Sequence, residues 1–373
     1  MGTRIHGIGA LGQSIWCDSI SRSLIDSGQL ARLIDDGVVG MTSNPTIFEK
    51  AISRSDDYDE AIQSLTGDGL DAIQVYEALA VTDVGDAADL LRPIHDRTRG
   101  LDGYVSIEVD PHLANDTDGT VVEASRLHKR LNRPNILIKV PATEAGMPAV
   151  ESLIAEGINV NVTLIFSLSM YAKVMEAYIR GVERLASNGG DVTRAASVAS
   201  FFVSRVDTAV DKQLQSKIDA GASDLTPLLG QAAIGNAKLA YKQYKSIFHG
   251  ERFAKLATLG APVQRPLWAS TSAKNPAYPV TYYVDTLIGP ETVNTLPLET
   301  IEAAKNHATC ESTIEKDVQG CAEAMERIEG AGISMERITS DLLDAGVNAF
   351  ADSFDQLLGG LRAKIAQLQT AGS

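Results

Sequence analysis

The run ILIKVPA carries a lysine, Lys139, between aliphatic neighbours. Successive side chains of a strand point to opposite faces, so Lys139 lies on the face opposite to that of Ile138 and Val140. The run YVSIEV places Glu108 in the same way. Burial among apolar side chains penalises an ammonium ion, and the neutral amine that it favours can attack a carbonyl carbon. The two runs therefore indicate covalent catalysis through a lysine.

Four further apolar runs carry polar side chains at alternate positions, namely SIWCDS, GMTSNP, NVNVTLIF and SVASFFV. Any one of these side chains is consistent with a satisfied buried polar group, and Lys139 alone could be a salt-bridge partner of Glu108. A purely structural barrel interior is filled by Val, Ile and Leu, so a hydrophilic interior indicates a site. The residues predicted to share the inner face are Trp16, Asp18, Thr42, Asn44, Ser106, Glu108, Leu137, Lys139, Asn161, Thr163, Ser200 and Phe202.

These residue types suit Schiff-base chemistry. An iminium on Lys139 would withdraw electrons from the neighbouring carbon–carbon bond, and another group must then take the proton of the departing hydroxyl. Asp18 is a candidate for this acid/base role. Glu108 can position a water and carry protons during imine formation, with Thr163 as its relay. Nearby amides can donate to the hydroxyls of a substrate.

Metals and nucleotide cofactors are the rival explanations, and the sequence favours neither. The six histidines are scattered with no pair at ligand spacing, and none falls on the predicted polar face. The stretch Gly7-Ile8-Gly9-Ala10-Leu11-Gly12 matches GxGxxG. The dinucleotide fingerprint follows a strand and opens a helix, whereas only six residues precede this stretch. We therefore predict an enzyme with no metal and no cofactor.

Short apolar runs alternate with helical patterns along the chain, which is the order of a parallel sheet wrapped by helices. This order predicts an α/β protein, a (β/α)₈ TIM barrel as a single domain over 1–373, with a doubly wound open sheet as the main alternative. The long segments 45–103 and 204–265 predict extra helices after the second and sixth strands. Apolar residues at helical spacing from Phe350 to Leu368 predict a long C-terminal helix packed on the barrel. The candidate strands are 14–19, 38–43, 104–109, 136–142, 159–166, 196–203, 266–271 and 282–288.

The chain of 373 residues has a net charge of −15 and a sequence pI of about 4.9. An acidic surface disfavours nucleic acids and anionic membranes as partners, so an anionic substrate must be held by a few local cations. The N-terminus has no signal-peptide pattern, no stretch is long and apolar enough to span a membrane, and the three cysteines lack motif spacing. These features predict a cytoplasmic protein and leave a monomer and a homodimer open.

The same segments resemble, in the same order, those of the transaldolase family, the Schiff-base enzymes of the pentose phosphate pathway. The resemblance runs from residue 14 to about residue 290. The segments around Lys139 and around Asn161 and Thr163 are the most specific. The matching segments are WCDSI, GMTSNPTIF, VSIEVDPHLAND, ILIKVPAT, GINVNVTLIFS and SVASFFVSRVD.

This resemblance implies that Lys139 forms the Schiff base and that Asp18 is the acid/base of carbon–carbon cleavage. Glu108 and Thr163 would organise the catalytic water. The family carries a dihydroxyacetone unit from sedoheptulose 7-phosphate or fructose 6-phosphate to glyceraldehyde 3-phosphate or erythrose 4-phosphate, without a cofactor or metal. The residues implied to hold these sugar phosphates are Thr42, Asn44, Asn161, Ser200, Phe202, Arg205, Ser270 and Lys274.

One segment departs from the family pattern. Many transaldolases have an arginine for the substrate phosphate two residues beyond a serine that follows the seventh strand. Here Ser270 is followed by Ser272 at the arginine position, and Lys274 is the cation that could replace it. Arg205, which directly follows the sixth strand, is therefore expected to be the firmer phosphate ligand.

Two other functions stay open at this point. A free aldolase would use the same residues and release dihydroxyacetone, and relatives of that kind tend to carry a tyrosine where this chain has Phe202. A non-catalytic sugar-phosphate sensor would keep the pocket but lose Lys139 or Asp18, and both are present. The sequence therefore favours the transferase.

Overall fold

The computed structural model describes residues 2–53 and 55–371, and these contain one sheet of seven parallel strands. The strands are β1 (Gln13–Cys17), β2 (Val105–Glu108), β3 (Ile136–Pro141), β4 (Val160–Ile165), β5 (Ser197–Phe202), β6 (Arg265–Ala269) and β7 (Thr292–Leu296). They pair in the order β1-β7-β6-β5-β4-β3-β2, so the first two strands of the chain are the two edges. Almost every strand residue is buried, as expected when helices cover the outside of a parallel sheet.

Helices follow most of the strands. The predicted extra helices are present, three between residues 45 and 103 and three between 204 and 265, and the predicted C-terminal helix has 37 residues. The helices are α1 (Arg4–Ala10), α2 (Arg22–Asp26), α3 (Gln29–Asp35), α4 (Pro45–Ser53), α5 (Asp59–Gly67), α6 (Ala72–Arg97), α7 (Thr117–Leu131), α8 (Gly146–Ala155), α9 (Leu168–Ser187), α10 (Ser204–Asp219), α11 (Ala232–Phe248), α12 (Glu251–Ala257), α13 (Tyr282–Thr286), α14 (Leu298–His307), α15 (Val318–Gly330) and α16 (Met335–Ala371), with 3₁₀ turns at Pro111–Leu113, Val192–Arg194 and Ser223–Leu228. None of the helices in the described part of the chain is long and apolar enough to cross a membrane.

A short segment between α3 and α4 joins the two edges of the sheet. The Val39 amide donates to the Ile15 carbonyl (2.9 Å). Met41 forms parallel bridges with Cys17 on one side and Val105 on the other. The sheet is therefore closed into a ring, which confirms the predicted (β/α)₈ barrel and makes the open doubly wound sheet wrong.

This closing segment is less regular than the predicted strand 38–43. A Cβ on Gly40 would lie 2.5 Å from Cε2 of the Trp16 ring, so the backbone passes directly against that ring. Glycine in a strand commonly marks such a close approach and weakens the strand. The segment consequently contributes single-residue bridges rather than a full strand.

The last predicted strand, 282–288, is wrong, because its first five residues form α13. Tyr283, Val284, Leu287 and Ile288 are buried. Their spacing of one, three and one residues places them on one side of a helix, which a count of apolar residues alone does not reveal. The aromatic and β-branched composition of this run had favoured a strand.

The true last strand, β7, was not predicted. Thr292, Asn294 and Thr295 interrupt its apolar residues, so it lacks the apolar run by which the other strands were found. All five of its residues are nevertheless buried, because its polar side chains face hydrogen-bond partners inside the protein. β7 pairs with both β1 and β6 and completes the sheet.

Side-chain caps fix where helices begin after the strands. The Ser167 hydroxyl accepts from the Met170 amide (3.0 Å) at the start of α9, and the Asp116 carboxylate accepts from the Gly119 amide (3.0 Å) at the start of α7. Each cap satisfies an amide of the first helical turn and contributes about 1 kcal/mol. In barrels of this kind the active site lies at the end of the barrel where the strands finish and these helices begin.

Helix α16 packs along α4 and reaches the C-terminal ends of the strands. Phe350, Phe354 and Leu357 on this helix are buried, as the apolar stripe predicted. Further along, the Lys364 Nζ lies 2.6 Å from the Asp59 Oδ1 on α5. These contacts hold the C-terminal helix across one side of the barrel mouth.

Candidate active site

Lys139 lies near the C-terminal end of β3, directly opposite Glu108 of β2 in the parallel register. Its side chain is buried, and its Nζ lies 2.7 Å from the Glu108 Oε1. The same Nζ donates to the Ser43 carbonyl (2.8 Å), in the segment that closes the barrel. Two oxygens therefore fix the position of the amine at the barrel mouth.

Burial raises the pKa of the Glu108 carboxyl above its usual range, and the nearby Asp18 raises it further, against the opposing charge of Lys139. A carboxyl group with a raised pKa is a better proton acceptor than an exposed one. Because Glu108 contacts the lysine Nζ, it is the group positioned to take a proton from Lys139.

Asp18 immediately follows β1. The Thr42 hydroxyl donates to the Asp18 Oδ1 (2.7 Å) and also lies 2.7 Å from the Thr295 Oγ1 on β7. Burial raises the pKa of Asp18, while the charge of Lys139 and the Thr42 hydrogen bond oppose this shift. The site thus contains two carboxyl groups, both with raised pKa, around one lysine.

Thr163 lies on β4 opposite Pro141 of β3. Its hydroxyl and the Glu108 Oε2 are buried and have no hydrogen-bond partner among the described residues. Both residues line a cavity of about 10 Å³ that also contacts Lys139. The next residue, Leu164, has a φ of +62° at a bulge in β4, an irregularity of the kind that re-aims side chains beside active sites.

Asn161 of β4 lies opposite Lys139 of β3 in the parallel register. Its amide nitrogen donates to the Ser106 hydroxyl (3.0 Å), and its carbonyl accepts from the Ser200 hydroxyl (2.7 Å). Asn161 is fully buried and does not line the cavity above Lys139. It connects the side chains that form the floor of the site, and its direct contact with a substrate stays a prediction.

A larger cavity of about 150 Å³ opens above Lys139 and brings together most of the residues predicted from the sequence. Asn44 contributes to it from the start of α4, where its carbonyl accepts from the Ile47 amide (3.0 Å). Of the predicted catalytic and substrate-binding residues, Glu108 and Asn161 do not line it, and Glu108 faces the smaller cavity. The lining residues are Asp18, Thr42, Asn44, Lys139, Thr163, Ser200, Phe202, Arg205, Ala269, Ser270, Ser272, Lys274, Thr295, Pro297 and Phe350.

Arg205 and Lys274 supply the positive charge on one side of this cavity. Arg205 is half-buried in the first turn of α10, with its guanidinium carbon 5.5 Å from the centre of the Phe202 ring. Within the described residues it has no carboxylate partner at ion-pair distance, and burial lowers its pKa. Lys274 is exposed at the rim. A buried charge without a partner is costly, which makes Arg205 a candidate anion ligand.

Ser270 and Ser272 occupy the loop after β6. Ser272 carries no charge that could bind a phosphate, and its hydroxyl pairs with the Thr300 hydroxyl (2.9 Å). Ser270 has a φ of +56°, uncommon for a residue with a side chain, and its hydroxyl lies 3.0 Å from that of Ser204. This contact ties the loop to the start of α10, next to Arg205.

Thr295 and Phe350 are among the lining residues that the sequence analysis missed. Thr295 belongs to the strand that was not predicted. Phe350 was interpreted only as part of the packing stripe of the C-terminal helix, yet its ring centre lies 5.9 Å from the Lys139 Nζ. Phe350 lines both cavities. Helical spacing identifies a packing side, but it does not reveal which residue of that side covers an active site.

The closed barrel and the lysine held beside two carboxyl groups at its mouth define a barrel enzyme. A family model described as transaldolase/fructose-6-phosphate aldolase matches residues 15–361. A protein named transaldolase 2 from Nostoc sp. is 45% identical over 369 residues, which cover 96% of each chain. A transaldolase from Saccharopolyspora erythraea is 45% identical over 98% of each chain, and transaldolase 2 from Streptomyces coelicolor is 46% identical over 96% of each.

The chain therefore belongs to the transaldolase/fructose-6-phosphate aldolase family, as its motifs predicted, and it is an enzyme of the transaldolase type, a transferase.

Proposed function

We propose that this enzyme transfers a dihydroxyacetone unit from a ketose phosphate to an aldose phosphate through a Schiff base on Lys139. The donors are sedoheptulose 7-phosphate or fructose 6-phosphate, and the acceptors are glyceraldehyde 3-phosphate or erythrose 4-phosphate. The observation that carries the proposal is the 2.7 Å contact between the Lys139 Nζ and a buried carboxyl group of raised pKa. It gives the amine an immediate proton acceptor inside a cavity that also contains Asp18.

Imine formation begins when Glu108 takes a proton from Lys139. The neutral amine attacks the ketone carbon of the donor and forms a carbinolamine. Its oxygen receives one proton from the amine and the proton held by Glu108 and leaves as water, so that a protonated imine remains on Nζ. The small cavity beside Lys139, about 10 Å³, has the size of one water molecule. The unpaired oxygens of Glu108 and Thr163 in its lining offer an acceptor and a hydroxyl to such a water.

Carbon–carbon cleavage then requires Asp18. Its carboxylate takes the proton of the hydroxyl on the departing carbon, a carbonyl forms there, and the bonding electrons move into the imine. The aldose phosphate leaves, and the three-carbon unit stays on Lys139 as a stabilised carbanion. Addition to the acceptor runs the same steps in reverse, with Asp18 returning its proton to the new hydroxyl.

The substrate phosphate is bound by Arg205, with Lys274 as a second cation. A net charge of −15 gives the protein no general attraction for an anion, so local donors must supply it. The arginine fork can donate two hydrogen bonds to a phosphate, and Arg205 has no competing carboxylate among the described residues.

Replacing Arg205 with alanine should lower kcat/KM selectively for phosphorylated substrates. Losing hydrogen bonds to a charged group costs about 1.5–3 kcal/mol, so kcat/KM for fructose 6-phosphate should fall roughly 10- to 100-fold. The value for unphosphorylated fructose should stay nearly unchanged. An equal loss for both sugars would instead assign Arg205 a structural role.

Two further variants complete this measurement. Arg180→Ala removes an exposed arginine of α9 that pairs with Glu151 (3.0 Å), and it should change neither sugar's kcat/KM. Lys274→Ala should raise KM for the phosphorylated donor, and an unchanged KM would exclude Lys274 from phosphate binding.

Phe202 supports a transferase rather than a free aldolase. Its ring lies in the cavity, 5.2 Å from the ring of Phe166, and it lacks a hydroxyl that could protonate the carbanion on Lys139. The two aromatic rings also help to exclude water, so the bound three-carbon unit survives until an acceptor arrives. A tyrosine at this position could donate a proton and release dihydroxyacetone.

The transferase proposal is tested by measuring dihydroxyacetone release from fructose 6-phosphate with and without erythrose 4-phosphate. Wild-type enzyme should turn over slowly without the acceptor and rapidly with it, whereas Phe202→Tyr should release more dihydroxyacetone per donor cleaved. Rapid release by the wild type without acceptor would make the enzyme an aldolase. An unchanged ratio in the variant would reduce Phe202 to a packing role.

We also propose that the reaction belongs to the pentose phosphate pathway and takes place in the cytoplasm. Cys17, Cys310 and Cys321 are free thiols, which is consistent with a reducing compartment.

A further inference from the structure

Asp18 lies between two threonines that come from the segments on either side of β1. On one side, the Thr42 amide donates to the Cys17 carbonyl (2.9 Å). On the other, Thr295 of β7 lies opposite Trp16 in the β1–β7 register, and the Asp18 amide donates to the β7 carbonyl of Leu296 (2.8 Å). The barrel therefore places Thr42 and Thr295 on the two sides of the end of β1, which Asp18 directly follows.

The three side chains form a hydrogen-bonded chain whose direction can be worked out from the protons available. The Thr42 Oγ1 lies 2.7 Å from the Asp18 Oδ1 and 2.7 Å from the Thr295 Oγ1. A hydroxyl has one proton to donate, and a carboxylate can only accept. When Asp18 is ionised, the Thr42 proton is therefore committed to Asp18, and Thr295 must donate to Thr42.

Within residues 2–53 and 55–371, the Thr295 hydroxyl makes no other side-chain hydrogen bond that would account for its presence. Its side chain is 4% exposed, and the Thr42 hydroxyl is the partner of its Oγ1 within the described residues. It also lines the cavity above Lys139. A valine of the same shape would pack equally well at this position, so packing alone does not require a hydroxyl.

We propose that Thr295 is a positioning residue for Asp18 and that it acts through Thr42. By donating to Thr42, Thr295 fixes the rotamer in which Thr42 donates to the carboxylate, and successive hydrogen bonds strengthen one another. The inference rests on the proposed role of Asp18 as the acid/base of carbon–carbon cleavage. Thr42, first implied as a substrate ligand, acquires a second task as the link between the two residues.

The direction of the pH effect follows from the charges around Asp18. The Thr42 hydrogen bond and the positive charge of Lys139 on β3 favour the carboxylate, and burial opposes it. Glu108 on β2 adds a negative charge, Arg205 and Lys274 line the same cavity, and burial keeps the neighbouring Cys17 thiol neutral by raising its pKa. Weakening the Thr42 hydrogen bond therefore raises the pKa of Asp18. The acidic limb of the cleavage rate must then move to higher pH.

The test compares Thr295→Val with Thr295→Ser in single-turnover cleavage of fructose 6-phosphate over a range of pH. In the valine variant the acidic limb should move up by about 0.5 pH unit, and the cleavage rate should fall two- to tenfold, roughly the effect of one cooperative hydrogen bond. Serine retains the hydroxyl and should restore both values. The amount of donor trapped by borohydride should be the same in all three proteins, because imine formation does not use Thr295.

A double-mutant cycle and a control on the same strand make the result specific. Thr42→Val should shift the limb further than Thr295→Val, and the double variant should match Thr42→Val alone, because Thr295 acts only through Thr42. Thr292→Val removes a buried threonine hydroxyl that accepts from Gln13 (2.9 Å) at the other end of β7. It is expected to lower stability without moving the pH limb.

Additive shifts in the double variant, or a Thr295→Val profile identical to that of the wild type, would overturn the inference. So would an equal slowing in the serine variant without a shift of the limb, which would mean a structural role. These results differ from a failure of the proposed function, in which Asp18→Asn itself would cleave the donor at the normal rate.

Discussion

Replacement of Lys139 by alanine is expected to abolish sugar transfer, with the largest loss of any single substitution in this enzyme. Removal of the nucleophile in a covalent mechanism can lower the rate on the order of 10⁶-fold. Borohydride reduction in the presence of fructose 6-phosphate should add a three-carbon mass to the wild-type peptide that contains Lys139. The same peptide is examined by mass mapping, and the variant should carry no such adduct.

The chain offers a matched control for this experiment. Lys238 on α11 is also buried, donates to the carbonyl of Lys316 (2.6 Å) and has its pKa lowered by burial. It lacks a carboxylate at ion-pair distance among the described residues, and it lies outside the cavity of Lys139. A label on Lys238, or full activity in Lys139→Ala, would show that Lys139 is not the nucleophile.

The second large effect is expected for Asp18→Asn. Loss of a general acid/base typically lowers the rate by about 10²–10⁴-fold, and the loss should fall on carbon–carbon cleavage rather than on imine formation. The variant should therefore still trap intact fructose 6-phosphate on Lys139 with borohydride, as a six-carbon rather than a three-carbon adduct. The size of the adduct, read by mass spectrometry, identifies the step that has failed.

Two variants separate the loss of the charge at Asp18 from the loss of the whole side chain. Asp18→Asn keeps the size of the side chain and can still accept from Thr42 through its carbonyl, whereas Asp18→Ala removes both functions. If neither variant traps any donor, Asp18 belongs to imine formation, and its assignment to cleavage is wrong.

Strand alternation allowed much of the site to be predicted from the sequence, because it is a local property of the backbone. Lys139 and Glu108 stand side by side in the structure because residues directly opposite each other on paired strands face the same side. Alternation does not give depth along the barrel axis, however. Asn161 and Thr163 share a parity, yet Thr163 lines the cavity, while Asn161 lies beneath it.

The features that were missed depend on tertiary contacts. The polar residues Thr292 and Thr295 are tolerated in β7 because they have hydrogen-bond partners on other segments. No local sequence pattern reveals those partners. Phe350 satisfies a helical packing pattern like its neighbours, and only the crossing of α16 over the barrel places it near Lys139. The closing segment around Gly40 was predicted as a full strand. Its irregularity depends on its contact with the Trp16 ring, which a local pattern does not show.

The position of Phe350 has a consequence for how faithfully the enzyme completes each transfer. Phe350 of α16 lines the same cavity as Arg205 and Lys274, the two cations proposed to bind the substrate phosphate. Under the proposed mechanism, the phenyl ring would shield the carbanion on Lys139 from solvent while one sugar phosphate leaves and the next binds. A local opening of α16 would then let water protonate the three-carbon unit, so that the donor is cleaved without transfer. The fraction of cleaved donor that reaches the acceptor would then depend on the local stability of α16, a helix that supplies no acid, base or nucleophile. Contacts that anchor this helix, such as the ion pair between Lys364 and Asp59, would in that case affect the outcome of the reaction.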